Sequence, residues 1–117
     1  MTLSIGWCIA YFKMVVTSTL EAGTNCHGYV TDCQGHVLFD RGVKDCSGTC
    51  LVSQRDNIPS DGPYCAHMIV HGNNGHVEET IKVDENACFR VDGKVSKWTF
   101  KKIRCTKKLP NPCGDPK

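Results

Sequence analysis

The sequence predicts a small, disulfide-rich, all-β domain, an antiparallel β-meander with long loops and four disulfides. Three observations predict it. Nine cysteines stand among 117 residues, a density typical of secreted scaffolds and foreign to the reduced cytosol. Short runs of alternating apolar and polar residues recur between clusters of Gly, Asn, Asp and Pro. No stretch sustains a helical period, and no internal repeat is present.

Apolar residues make up 40% of the chain, and that share includes the cysteines. At this size such a core is marginal on its own. The formal net charge of +2 selects no partner by itself.

Residues 1–22 differ from the rest. An apolar run from Leu3 to Phe12 is followed by Met14-Val15-Val16 and by small residues up to Ala22. This reads as an export signal cleaved after about Ala22, leaving residues 23–117 as a single secreted, extracellular domain. Lys13 interrupts the run, and the other reading is an ordered N-terminal strand or helix. The run is too short and too interrupted to span a membrane. Cysteine parity agrees with removal. Without Cys8 an even set of eight remains: Cys26, Cys33, Cys46, Cys50, Cys65, Cys88, Cys105 and Cys113. Their connectivity is open. Each bridge adds ~2–4 kcal/mol, so four approach the stability of a whole domain. On that reasoning sulfur links, more than a buried interior, are expected to fix the fold.

The elements follow in order. Residues 23–33 are polar, with Tyr29-Val30-Thr31 a short strand. Residues 33–50 place three cysteines around Val37-Leu38-Phe39, a brief strand between glycine turns. Residues 51–64 contain Pro59, Asp61-Gly62 and Pro63, and read as an exposed loop closed by Cys50 and Cys65. Residues 66–71 and 76–83 form a hairpin around Gly72-Asn73-Asn74-Gly75, since Asn-Gly readily takes positive φ. That pairing puts Ala66, Met68 and Val70 beside Val77, Ile81 and Val83. Glu79 breaks the face, so it belongs at an edge or in a pair. Residues 84–86 are a turn, 88–91 a third strand, Asp92-Gly93 the next turn, and 95–105 a fourth strand. Trp98 and Phe100 share one side while Ile103 and Cys105 share the other, which implies a bulge near Lys101-Lys102. The tail is non-helical and tied down by Cys113.

Chemistry is sparse. His67 and His71 share a strand face four residues apart, ~13 Å, too far for one metal ion. No Cys-x-x-Cys occurs. No metal site and no cofactor are expected. Glu79 with His71 or His76 offers the parts of a small secreted ribonuclease, but the spacing is not diagnostic, and no catalytic residue is assigned. No Gly-x-Ser-x-Gly, phosphate-binding loop or dinucleotide fingerprint occurs. The chain reads as a non-enzyme. No Asn-x-Ser/Thr sequon is present.

Two segments are candidates for binding a partner. Lys94, Lys97, Lys101, Lys102, Arg104, Lys107 and Lys108 crowd the last strand, with Trp98 and Phe100 interleaved. They suit an acidic protein patch or a glycosaminoglycan, with nucleic acid not expected. The plainer reading is a solvated edge strand whose lysines discourage aggregation. The other candidate is the proline-stiffened loop at 51–64, with Arg55 as its protruding anchor. The expected contacts are therefore Arg55, Trp98, Phe100, Lys101 and Lys102.

The pattern Cys33-x-Gly35-x-x-Leu38-x-x-x-Gly42-x-x-x-Cys46-x-x-x-Cys50 resembles the opening of von Willebrand factor type C-like modules. Asp61-Gly62-x-x-Cys65 and then Cys88-x-x-x-Asp92-Gly93 is similar to the cysteine-rich salivary proteins of ticks. That group includes chemokine-binding evasins and inhibitors of complement and clotting. The resemblance implies a secreted protein that occupies a host-defence protein by steric occlusion, complement being favoured over chemokines and clotting proteases. A fungal-type secreted effector or killer toxin acting on cells is the alternative origin.

Overall fold

Alternation of apolar and polar residues carries most of this chain into strands. The computed structural model describes residues 10–46, 51–72 and 77–105. Eight strands run in order: β1 (Tyr11–Leu20), β2 (Asn25–Thr31), β3 (Val37–Asp45), β4 (Leu51–Pro59), β5 (Tyr64–Val70), β6 (Val77–Val83), β7 (Ala87–Lys94) and β8 (Lys97–Ile103). The all-β, disulfide-bearing class expected from sequence is what forms. No helix among the described residues is long and apolar enough to cross a membrane.

The strands form two four-stranded sheets, ordered β4-β1-β7-β8 and β3-β2-β5-β6. Only β1 and β7 pair in parallel; every other neighbour is antiparallel. The sheets pack face to face as a sandwich. Met14 and Leu20 of β1, Ile58 of β4, Ala87, Phe89 and Val91 of β7 and Phe100 of β8 meet Val30, Tyr64, Ala66, Met68, Val70 and Val83 of the other sheet. The Phe12 and Tyr64 rings meet across the interface at 5.7 Å.

Three disulfides are formed among the described residues: Cys26–Cys46, Cys33–Cys65 and Cys88–Cys105. Cys50 and Cys113 lie outside the described residues. The first two bridges lie in the β3-β2-β5-β6 sheet, and the third joins β7 to the end of β8. Among the described residues, no disulfide crosses from sheet to sheet. These three links hold strands to their neighbours, while apolar contact joins the two layers across the described core.

Segment by segment, the hairpin at β5–β6 has the register read from sequence, with Ala66 opposite Ile81, Met68 opposite Glu79 and Val70 opposite Val77. Its Asn73-Asn74-Gly75 turn lies outside the described residues. Glu79 is on an edge strand, as its polarity requires. Residues 51–59, read as loop, are strand β4 instead. Pro59 closes that strand at a sheet edge, where a missing N–H costs little. Residues 11–20, the end of the expected export signal, form β1 between β4 and β7. Val15, Thr17 and Leu20 are buried there.

The β7–β8 hairpin turns at residues 95–96, not at Asp92-Gly93. Its ladder runs unshifted from Cys88 opposite Ile103 to Lys94 opposite Lys97, so no bulge occurs at Lys101-Lys102. Gly93 lies inside the ladder with φ +115°. A Cβ there would stand 2.4 Å from the Lys97 carbonyl oxygen and 2.8 Å from Trp98 Cα. Glu21 N–H also donates to the Gly93 carbonyl at 2.9 Å, so the backbone cannot shift freely. Gly93→Ala is expected to destabilise by about 2 kcal/mol or more. A circular-dichroism melt checks this against Gly62→Ala, where a Cβ meets nothing within 4 Å and the melt should stay put.

Candidate binding surface

The residues expected to contact a partner are not brought together. Arg55 sits in β4 opposite Met14. Its guanidinium lies 3.5 Å above the Phe39 ring of β3, a cation–π contact that bridges the two sheets. It does not protrude from a loop. Trp98 and Phe100 do share a face, but that face is the core. Phe100 is buried and stacked on Phe89 at 5.4 Å, and Trp98 packs against the same cluster. Lys101 is exposed opposite Arg90, and Lys102 ion-pairs with Glu85. Strands β4 and β8 are opposite edges of one sheet, so Arg55 and the basic strand cannot form a single patch.

A different constellation lies on the outer face of the β3-β2-β5-β6 sheet. Alternation on β2 sends His27, Tyr29 and Thr31 outward while Cys26, Gly28 and Val30 turn inward. The Tyr29 hydroxyl donates to Glu78 Oε2 of β6 at 2.7 Å. The Tyr29 ring stacks on His67 of β5 with centroids 4.3 Å apart and planes 3° from parallel. His67 Nδ1 lies 3.0 Å from Glu78 Oε2 and 3.0 Å from Thr80 Oγ1. Its Nε2 lies 2.9 Å from Thr31 Oγ1. His27 Nε2 meets Asp40 Oδ1 at 2.7 Å. In the tautomer with Nδ1–H facing the Glu78 carboxylate, Nε2 is the ring's acceptor and Thr31 Oγ1–H donates to it. That Thr–His–Glu chain has the partners of a nucleophile, base and orienter. Thr31 is only 7% exposed, however, and its oxygen also accepts from Cys33 N–H. Both imidazole nitrogens are engaged, so the cluster is a locked platform, not an open nucleophile.

Sequence reasoning had paired Glu79 with His71 or His76. The histidine and glutamate that meet are His67 and Glu78; His76 lies outside the described residues. The period-2 spacing of His27, Tyr29 and Thr31 was visible in the sequence. The strands that flank β2 were not. Among the described residues, no three His, Cys, Asp or Glu side chains converge as a metal centre requires.

The electrostatics follow from these contacts. The hydrogen bond to Glu78 pushes the Tyr29 phenol up to about 12, with burial and the Glu78 and Asp40 charges acting the same way. Burial, then the Glu85 charge, pushes Tyr64 up to about 12. The His27 hydrogen bond and the Gly42 N–H hold Asp40 below the usual carboxylate range. A phenol whose folded value is raised favours the fold while it stays neutral. Its contribution is fully present below its unfolded value near 10 and is lost as pH climbs toward 12. Tyr29→Phe removes one such group. Stability of the variant is expected to fall less steeply above pH 10 than that of the parent, measured by guanidinium unfolding at stepped pH. Parallel slopes would reject the Tyr29–Glu78 bond as the cause.

Beside the platform runs β3, which among the described strands pairs only with β2. Of the four exposed large apolar side chains among the described residues, three belong to it: Val37 at 57%, Leu38 at 41% and Val43 at 55% exposure. Behind it, between the sheets, lies a cavity of about 190 Å³. Met14, Val16, Phe39, Met68 and Phe100 line it, and Arg41 and Lys44 stand at its rim. Gly28 and Gly42 face one another across the β2–β3 ladder, and both line the space. Natural cores rarely keep voids much larger than a water. No protein-family model matches the chain, and no curated protein matches it in sequence.

Proposed function

We propose that the protein is a secreted, non-enzymatic binding protein that seats an extracellular partner along β3 and blocks it by steric occlusion. The observation that carries this is the exposed apolar edge. Val37, Leu38 and Val43 stand on a strand whose outer hydrogen-bonding groups have no strand partner among the described residues. Proteins usually blunt or cover such an edge, and exposed apolar patches mark interaction sites. A partner strand added there would gain backbone hydrogen bonds together with apolar contact. The Tyr29–His67 stack beside it is rigid, so docking orders few side chains. Three disulfides are compatible with an oxidising, extracellular setting.

The finer reading is a host-defence target, with complement favoured over chemokines or clotting proteases; it rests on the cysteine and glycine spacing. The test is serum lysis of antibody-coated erythrocytes in the presence of the oxidised protein. Lysis is expected to fall, and Val37→Lys/Val43→Lys is expected to lose most of that inhibition at an unchanged melting temperature. Undiminished lysis would reject the complement target. Inhibition that survives both lysines would remove β3 as the contact.

A further inference from the structure

We propose that the cavity between the sheets is a binding site for a medium-chain carboxylic acid, its hydrocarbon inside and its carboxylate at Arg41 and Lys44. This stands on the cavity alone and does not depend on the partner proposed for the β3 edge.

The interior wall is mainly apolar, with Ser18, Tyr29 and His67 also lining the space. Met14 and Val16 of β1 and Phe100 of β8 supply one side; Phe39 of β3 and Met68 of β5 supply the other. The space exists because two opposed positions carry no side chain. Gly28 and Gly42 pair across the β2–β3 ladder. A Cβ on Gly42 would meet nothing within 4 Å, and one on Gly28 would meet only the mobile end of Met68, at 3.3 Å, and a carbonyl oxygen at 3.8 Å. A pocket walled mainly by apolar side chains takes apolar guests; ~150 Å³ accommodates benzene. About 190 Å³ therefore suits roughly six to eight carbons.

The rim sets the headgroup. Arg41 and Lys44 are exposed at the cavity edge. None of the ion pairs among the described residues involves either of them. Asp45 is the one carboxylate lining the space, so the two cations outnumber it. A guanidinium and an ammonium beside an apolar hole match a carboxylate on a short hydrocarbon. An ammonium headgroup meets repulsion there.

Calorimetric titration of the oxidised full chain with octanoate, 1-octanol and octylammonium tests this. Octanoate is expected to bind saturably at one site, with octanol about tenfold weaker and octylammonium weaker still. Arg41→Glu/Lys44→Glu is expected to reverse the order of octanoate and octylammonium. Gly28→Val and, separately, Val16→Phe fill the cavity from opposite sheets, and each is expected to abolish all three titrations. Melting curves report whether each variant is folded. Absence of saturable octanoate binding overturns the site. So does octanoate binding that persists in both cavity-filling variants. Equal affinity for octanoate and octylammonium overturns the role of the rim.

Discussion

A chain beginning at Gly23 is expected not to form the sandwich. Strand β1 is interior to its sheet, paired with β4 from Tyr11 to Ser18 and with β7 from Met14 to Leu20. Without it β4 has no strand neighbour among the described residues. Met14 and Leu20 leave the core, and Val15 and Thr17, 1% and 2% exposed, leave the sheet. Losing one large buried apolar side chain costs ~2–5 kcal/mol. Here three buried apolar side chains go, Met14, Val15 and Leu20, with both hydrogen-bonded ladders, against a typical domain stability of ~5–15 kcal/mol. Residues 23–117, refolded under oxidising conditions, should show no cooperative transition in guanidinium and poor dispersion of amide resonances. A transition with the midpoint of the full chain would show that β1 adds nothing.

The same residues were read from sequence as the end of an export signal. A strand covered on both faces is a near-continuous apolar run, and so is the hydrophobic part of a signal. Composition cannot separate the two. The intact mass of secreted protein can: a chain from Met1 keeps β1, whereas a chain from Gly23 must complete its sheet differently.

Other parts of the fold were legible where the signal is local. The alternation of residues 66–71 and 76–83 made the β5–β6 pairing legible, with Met68 opposite Glu79. Asp92-Gly93 misled for an instructive reason. The pair is a strong turn signal, but Gly93 is used for a close approach of β8 inside the ladder, which only the structure reveals. Strand β4 was hidden behind prolines that sit at its end and after it. The platform and the cavity were illegible because both are properties of register. His27, Tyr29 and His67 are ordinary residues until β2 lies beside β5. Gly28 and Gly42 are ordinary glycines until they face each other with nothing between.

Phe89→Ala is expected to be the most damaging single substitution in the core. Phe89 is 0% exposed, stacks on Phe100 at 5.4 Å, and belongs to the cluster that attaches one sheet to the other. Truncation removes about 3–5 kcal/mol, which lowers the melting temperature by roughly 15 °C in a domain of this size. The three disulfides among the described residues do not compensate, because each staples a strand within its own sheet. The contrasting variant is Cys88→Ser/Cys105→Ser, which opens a link of sequence separation 17. That change acts mainly by freeing the unfolded chain, at ~3 kcal/mol, and leaves the contact between sheets in place. Near-ultraviolet circular dichroism separates the two mechanisms. Tyr64 and Trp98 report the packed interface, so their signal should weaken in Phe89→Ala well below its melting temperature and persist in the cysteine variant. If Phe89→Ala melts within about 3 °C of the parent, a shift worth less than ~1 kcal/mol, the layers are not held by this core.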